Sequence, residues 1–133
     1  NVRDWLWVTD HCRGIELAFR KGKAGGTYLF GGWGPEKNNM QIAKMILRKL
    51  GKKVVIKRED QDTNGNATIH LVGDRPGHDL RYAVDWSKSK KELGWEPEYS
   101  LNKLLDKTIE WYKNNRWWWE PIKKRKTGVV VKH

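Results

Sequence analysis

The 133 residues carry 27 Lys and Arg against 16 Asp and Glu, a net charge of +11, in a chain that is 38% hydrophobic and 32% charged. That size and balance exclude a multidomain protein and a disordered one, and the sign of the charge favours anionic partners such as phosphate esters, nucleic acid or an acidic surface. The single cysteine, Cys12, excludes an internal disulfide, and no apolar run has the length of a membrane span, so a reducing cytoplasm is expected and a membrane partner is not.

Residues 2–8, VRDWLWV, read as a strand. A chain that starts inside a strand, without Met or an export signal, leads to the expectation of further sequence upstream. Thr9 or Asp10 can cap a following helix whose apolar positions Cys12, Ile15, Ala18 and Phe19 keep helical spacing as far as Gly22. The short apolar run GTYLFGG, bounded by glycines, reads as a buried strand. Asn38 or Asn39 caps the next helix, which puts Ala43, Ile46, Leu47 and Leu50 on one face and stops at Gly51.

KVVIK and ATIHLV read as two strands, and the Asn64-Gly65 pair between them suggests a long hairpin. RYAVD is a further short strand, and a polar helix around Lys88 to Leu93 stops at Gly94 before Pro97. Ser100 caps a last helix with an apolar stripe of Leu101, Leu104, Leu105, Thr108, Ile109 and Tyr112. The run Lys123, Lys124, Arg125, Lys126 opens a basic tail, residues 124–133, of the kind usually solvated. Strands that alternate with helices define an α/β arrangement holding only about half of a doubly wound sheet.

Metal and nucleophile chemistry find no support in the spacing. His11, His70, His78 and His133 are scattered, no second cysteine is present, and no G-x-S-x-G elbow occurs. Cys12 reads as a buried core residue. Neither GKAGG nor FGGWG joins a strand to a helix as a dinucleotide-binding turn requires.

The loop DRPGHD is the stretch with chemistry. Arg75 offers a planar fork for phosphate oxygens, Pro76-Gly77 makes a tight turn, and His78 adds a donor. Two readings stand on the residues alone: a diphosphate clamp, or a surface turn with Arg75 ion-paired to Asp74 or Asp79. Arg3 likewise could meet phosphate or Asp4, and Asn39 could be a cap, a ligand or both.

VRDWLWVTDHCRGIELAFRKGKAGGTYLFGG, EKNN, DRPGHDLRYAVD, KKELGWEPEYSLNKLLDKTIEWY and NNRWWWEPIK, in that order, resemble the carboxyl-terminal part of the dTDP-glucose 4,6-dehydratase family of extended short-chain dehydrogenases/reductases. The resemblance implies an α/β fold: the carboxyl-terminal, substrate-binding part of an extended Rossmann-type enzyme, residues 1–123, lacking most of the parallel sheet. It implies that Arg3, Asn39, Arg75 and His78 contact the nucleotide diphosphate of a dTDP-sugar. It implies NAD as cofactor, a homodimer, and a reaction that oxidises the sugar at carbon 4, eliminates water across carbons 5 and 6 and returns the hydride to carbon 6. The family's NAD-binding turn, its Tyr-x-x-x-Lys pair and its Asp-Glu acid/base pair precede the matched region, so no catalytic residue is expected here, and the partner expected is the missing amino-terminal Rossmann half.

Departures from the family pattern are Leu29 and Phe30 in YLFGG where the family usually has YNIGG, Leu80 in place of Arg, a longer segment from Arg58 to Asn66, and a third consecutive tryptophan among Trp117, Trp118 and Trp119, read as a greasy helix end. Two alternatives remain: a small nucleic-acid-binding module, which the nine tryptophans and +11 charge would serve, and a non-catalytic truncated remnant.

Overall fold

Trp95 is the centre around which the first unit is built. Its side chain is fully buried, its ring meets Phe30 edge-on at 4.8 Å and Trp86 at 5.8 Å, and its indole N–H donates to the Asp10 carbonyl at 2.9 Å. Burial of an indole with its one donor satisfied is worth about 3–5 kcal/mol by comparison with truncation to alanine.

The computed structural model describes residues 1–58 and 68–127, with side chains as far as Lys123 in the last helix. The elements are β1 (Val2–Arg3), α1 (Val8–Lys21), β2 (Lys37–Asn38), α2 (Asn39–Lys49), β3 (Ile56–Lys57), β4 (Ile69–His70), β5 (Arg81–Tyr82), α3 (Ser87–Leu93), α4 (Leu101–Asn114) and α5 (Arg116–Thr127). They fall into two compact units, Asn1–Leu101 and Asn102–His133.

The sheet that matters for function runs β2-β1-β5, antiparallel between β1 and β2 and parallel between β1 and β5. The expected opening strand shrinks to Val2–Arg3, because Asp4 and Trp5 turn to other work: the Asp4 carboxylate accepts from the Gly32 amide at 2.7 Å, and Trp5 donates to the Lys37 carbonyl at 2.8 Å. GTYLFGG is not a strand either. Its backbone is satisfied by side chains, Ser89 donating to the Leu29 carbonyl and Asp4 receiving Gly32, while Phe30 serves as a packing ring.

α1 ends at Gly22 as the sequence indicates, but its N-cap is Trp7, with no side-chain cap. Asp10 turns inward instead, where Oδ1 accepts from Arg13 at 3.1 Å and Oδ2 from the Glu98 amide at 3.1 Å, tying α1 to the segment after α3. Of the residues expected on the apolar side of α1, Cys12, Ile15 and Phe19 are exposed, Phe19 at 91%, and Ala18 is half-buried; with Val8 the three form an exposed stripe, while the buried positions are Asp10 and Gly14, the latter beneath Phe30. Cys12 is therefore a surface residue and not the core cysteine the sequence suggested.

α2 opens with a full capping box: the Gln41 amide donates to the Asn38 side chain, and the Asn38 amide donates to the Gln41 side chain. Asn38 is thus the cap and Asn39 the first helical residue. The helix's fully buried residue is Ile42, while Leu50 is exposed. β3 and β4 pair in parallel, Ile56 with Ile69 and Lys57 with His70, so they do not form the hairpin read from the sequence. The Asn64-Gly65 pair and most of the long segment from Arg58 to Asn66 lie outside the described residues.

α3 stops at Gly94, whose φ of 72° is the left-handed conformation that favours glycine. In the second unit, α4 buries Leu104 and Leu105, and the tryptophan run belongs to a separate helix, α5, with Pro121 inside it. Trp111 meets Trp118 at 5.5 Å, and the Trp119 indole donates to the Tyr112 carbonyl, so aromatic contacts join α4 to α5, with Trp117 left 74% exposed.

Candidate functional site

Parallel pairing of β1 with β5 is what assembles the site. The register Val2↔Arg81 and Arg3↔Tyr82 carries the loop that precedes β5, residues 74–80, onto the N-terminal end of β1, with Val2 donating to the Leu80 carbonyl at 2.8 Å and the Arg3 side chain reaching back to the loop. On the other side, β2 leads straight into α2, and the Asn39 amide donates to the Asn1 carbonyl at 3.1 Å. Arg3, the DRPGHD loop and the first turn of α2 therefore meet.

Between them lies an open cleft of about 450 Å³ lined by Asn39, His78, Asn1 and Asp74 on its polar side and by Met40, Ala43 and Ile69 among its apolar residues. Two of its lining residues, His78 and Asp74, belong to a chain of hydrogen bonds that continues to Arg3. Arg3 Nη2 lies 2.8 Å from His78 Nε2 and donates to the Asp79 carbonyl at 3.0 Å, and Arg3 Nη1 donates to the Val2 carbonyl at 2.6 Å. His78 Nδ1 lies 2.6 Å from Asp74 Oδ1, and the Asn1 amide reaches the Asp79 carbonyl at 3.1 Å.

A guanidinium has five N–H donors. Three are engaged here, so Nε–H and one Nη1–H of Arg3 have no partner among the described residues and can meet an anion.

Arg75 takes a different position. It is exposed, and its side chain forms no ion pair among the described residues, since Asp74 is committed to His78 and its Oδ1 also accepts the Arg75 amide at 2.9 Å. The surface ion pair of Arg75 with Asp74 or Asp79 is not formed. A whole guanidinium fork thus stands exposed next in sequence to Asp74, which lines the cleft, in a turn where Gly77 has φ 70°.

The hydrogen bond from His78 is the first cause that holds the Asp74 carboxyl below its usual value, and the Asn1 amide adds to it. Glu36 is also lowered, first by a backbone hydrogen bond and then by the Arg81 guanidinium. Both shifts favour the charged carboxylate. The four residues expected from the sequence fall into three situations. Arg3 and His78 are in direct contact, His78 and Asn39 line the cleft, and Arg75 stands exposed in the same loop as His78, with no ion pair among the described residues. Asp74 and Asn1 were missed as site residues: Asp74 acts on His78 four residues on, whose own partner Arg3 lies across the pairing of β1 with β5, and Asn1 reaches the Asp79 carbonyl across the same pairing, which the sequence does not reveal.

Among the described residues no cluster of His, Cys, Asp or Glu could hold a metal ion, and no helix is long and apolar enough to cross a membrane. The described residues do not fit NAD: β1 reaches α1 through DWLW, and β2 enters α2 at Asn38, neither with a glycine-rich turn.

Short strands alternating with helices, and a cleft where a strand end meets a helix start, are features of a portion of a Rossmann-type α/β fold. The chain belongs to the family whose model is described as GDP-mannose 4,6 dehydratase, which matches residues 1–108. It is 43% identical over 121 residues to dTDP-glucose 4,6-dehydratase of Escherichia coli, a match that covers 91% of this chain and 33% of that one. The crystal structure of dTDP-glucose 4,6-dehydratase from Bacillus anthracis in complex with NAD superposes with a TM-score of 0.74 at 38% identity, over 91% of this chain and 34% of that one. The enzyme from Streptomyces venezuelae, also solved with NAD bound, gives 0.74 at 40% identity over the same shares. The chain thus spans about a third of the length of the relatives it matches.

Proposed function

We propose that this chain is the sugar-nucleotide-binding, carboxyl-terminal part of a cytoplasmic, NAD-dependent dTDP-glucose 4,6-dehydratase, a hydro-lyase that forms dTDP-4-keto-6-deoxy-glucose for deoxysugar biosynthesis. The single observation that supports this most is the meeting of His78 and Asn39 in one cleft, with the Arg3 guanidinium 2.8 Å from the His78 ring and Arg75, without an ion pair among the described residues, in the same loop. In this reading Arg3 and Arg75 hold the diphosphate by charge-assisted hydrogen bonds, Asn39 adds a polar contact at the start of α2, and the hexose is positioned by binding energy from the remote nucleotide. Oxidation, elimination and NAD binding fall to the amino-terminal Rossmann half that the relatives' greater length supplies, so the 133-residue chain by itself turns over no dTDP-glucose.

The test is calorimetric titration of the chain with dTDP and with inorganic phosphate. Preference for dTDP is expected, and Arg75→Ala should weaken it roughly 30- to 150-fold, the loss of a charge-assisted, bidentate contact. Arg75→Lys should recover only part, since the ammonium keeps the charge and loses the fork. Unchanged dTDP affinity in Arg75→Ala, or tight salt-dependent binding of random single-stranded oligonucleotide with no preference for dTDP, would overturn the proposal.

A further inference from the structure

The hydrogen bonds beneath the cleft have a direction. Arg3 Nη2 can only donate, so the contact at 2.8 Å requires a lone pair on His78 Nε2. The imidazole proton then belongs on Nδ1, which faces Asp74 Oδ1 at 2.6 Å. Protonation at Nε2 instead would set an N–H against an N–H and break the hold on Arg3. Asp74 is well placed to choose between the two forms, because its Oδ1 also accepts the Arg75 amide at 2.9 Å and its Oδ2 faces Asn1 Nδ2 at 3.5 Å. Each end of the carboxylate is thereby tied to the backbone or to a neighbouring strand.

We propose that Asp74 is a positioning residue: it fixes the Nδ1–H tautomer of His78, and His78 in turn holds the Arg3 guanidinium with its two remaining N–H groups presented to the diphosphate. The proposal rests on the sugar-nucleotide reading for its ligand, and on the geometry alone for the tautomer. His78 is thereby a support for Arg3, a role distinct from direct phosphate contact. The arrangement resembles the orientation of a ligand-holding imidazole by a carboxylate on its far nitrogen, here applied to a guanidinium.

The test combines nitrogen-detected imidazole spectra of the 133-residue chain, at a pH where His78 is neutral, with dTDP titration. In the wild type, Nδ1 should carry the proton. Asp74→Asn keeps an acceptor oxygen for Nδ1–H, so tautomer and affinity should stay close to wild type. Asp74→Ala should move His78 towards the Nε2–H form and weaken dTDP binding roughly 3- to 10-fold, the effect of one lost hydrogen bond. Asp74 is 61% exposed, so its truncation leaves the fold in place, which the amide spectrum away from the loop verifies.

A wild-type His78 protonated at Nε2 overturns the proposal. So does an Asp74→Ala variant with an unchanged tautomer, or one with a shifted tautomer and wild-type affinity. A wild-type chain that shows the Nδ1–H form but binds no dTDP refutes the sugar-nucleotide reading instead, and the tautomers of the two variants still decide whether Asp74 sets that of His78.

Discussion

Gly14 lies on the buried side of α1, where a methyl group would come within 2.7–2.8 Å of three carbons of the Phe30 ring. The ring cannot slide away freely, since it meets Trp95 at 4.8 Å and His11 at 6.1 Å. Replacement of a helical glycine by alanine ordinarily gains about 1 kcal/mol, while overpacking of this kind costs about 1–3 kcal/mol. Gly14→Ala should therefore destabilise the chain by up to about 2 kcal/mol, a fall in Tm of up to roughly 8 °C. In a Phe30→Leu background the flat ring is gone and the propensity gain is left, so the same substitution should stabilise by about 1 kcal/mol. Urea or thermal melts of the four proteins, followed by circular dichroism, measure this change of sign as a coupling energy of about 1–3 kcal/mol. Gly14→Ala that raises the stability of the wild-type chain would refute the packing argument.

Asp10→Ala leaves the Glu98 amide and Arg13 without their buried acceptor and should cost about 3 kcal/mol in urea denaturation, whereas Asp10→Asn, which retains an acceptor oxygen, should cost less. The carboxyls of Asp74 and Asp85 are held low, the first mainly by the His78 hydrogen bond and the second by the Ser87 amide. A lowered folded-state value means stability that is present above the unfolded value and lost as pH falls through the folded one. Denaturation midpoints should accordingly decline below about pH 4, and Asp74→Asn should flatten that decline. The exposed stripe of Val8, Ile15 and Phe19 on α1 should bind the dye ANS in the isolated chain, with less fluorescence in Phe19→Ser; equal fluorescence would place the dye elsewhere.

The parts of the fold legible in the sequence were those written locally. Gly22, Gly51 and Gly94 mark helix ends because a helix terminus is decided within a few residues, and the α2 start is legible because Asn38 and Gln41 satisfy each other's amides three residues apart. What misled were features whose partners lie far along the chain. Asp10 has the chemistry of a cap but is bound by Glu98, and Phe30 has the look of a strand residue but packs on α1. The apolar runs KVVIK and ATIHLV on either side of a turn-forming pair suggest a hairpin, yet β3 and β4 run in parallel. The site followed the same division. Arg3, Asn39, Arg75 and His78 stand out in motifs, whereas the link from Asp74 through His78 to Arg3 depends on β1 pairing with β5, which brings together Arg3 and His78, 75 residues apart.

The exposed position of Cys12 turns α1 into a surface that can be read chemically. As the one thiol in the sequence, and in the middle of the Val8-to-Phe19 stripe, it accepts a maleimide dye or spin label at a single site without any prior mutation. The rate of that labelling measures how open the apolar face is. Whatever comes to lie over α1, whether another protein segment or a second copy, announces itself as protection of one sulfur atom.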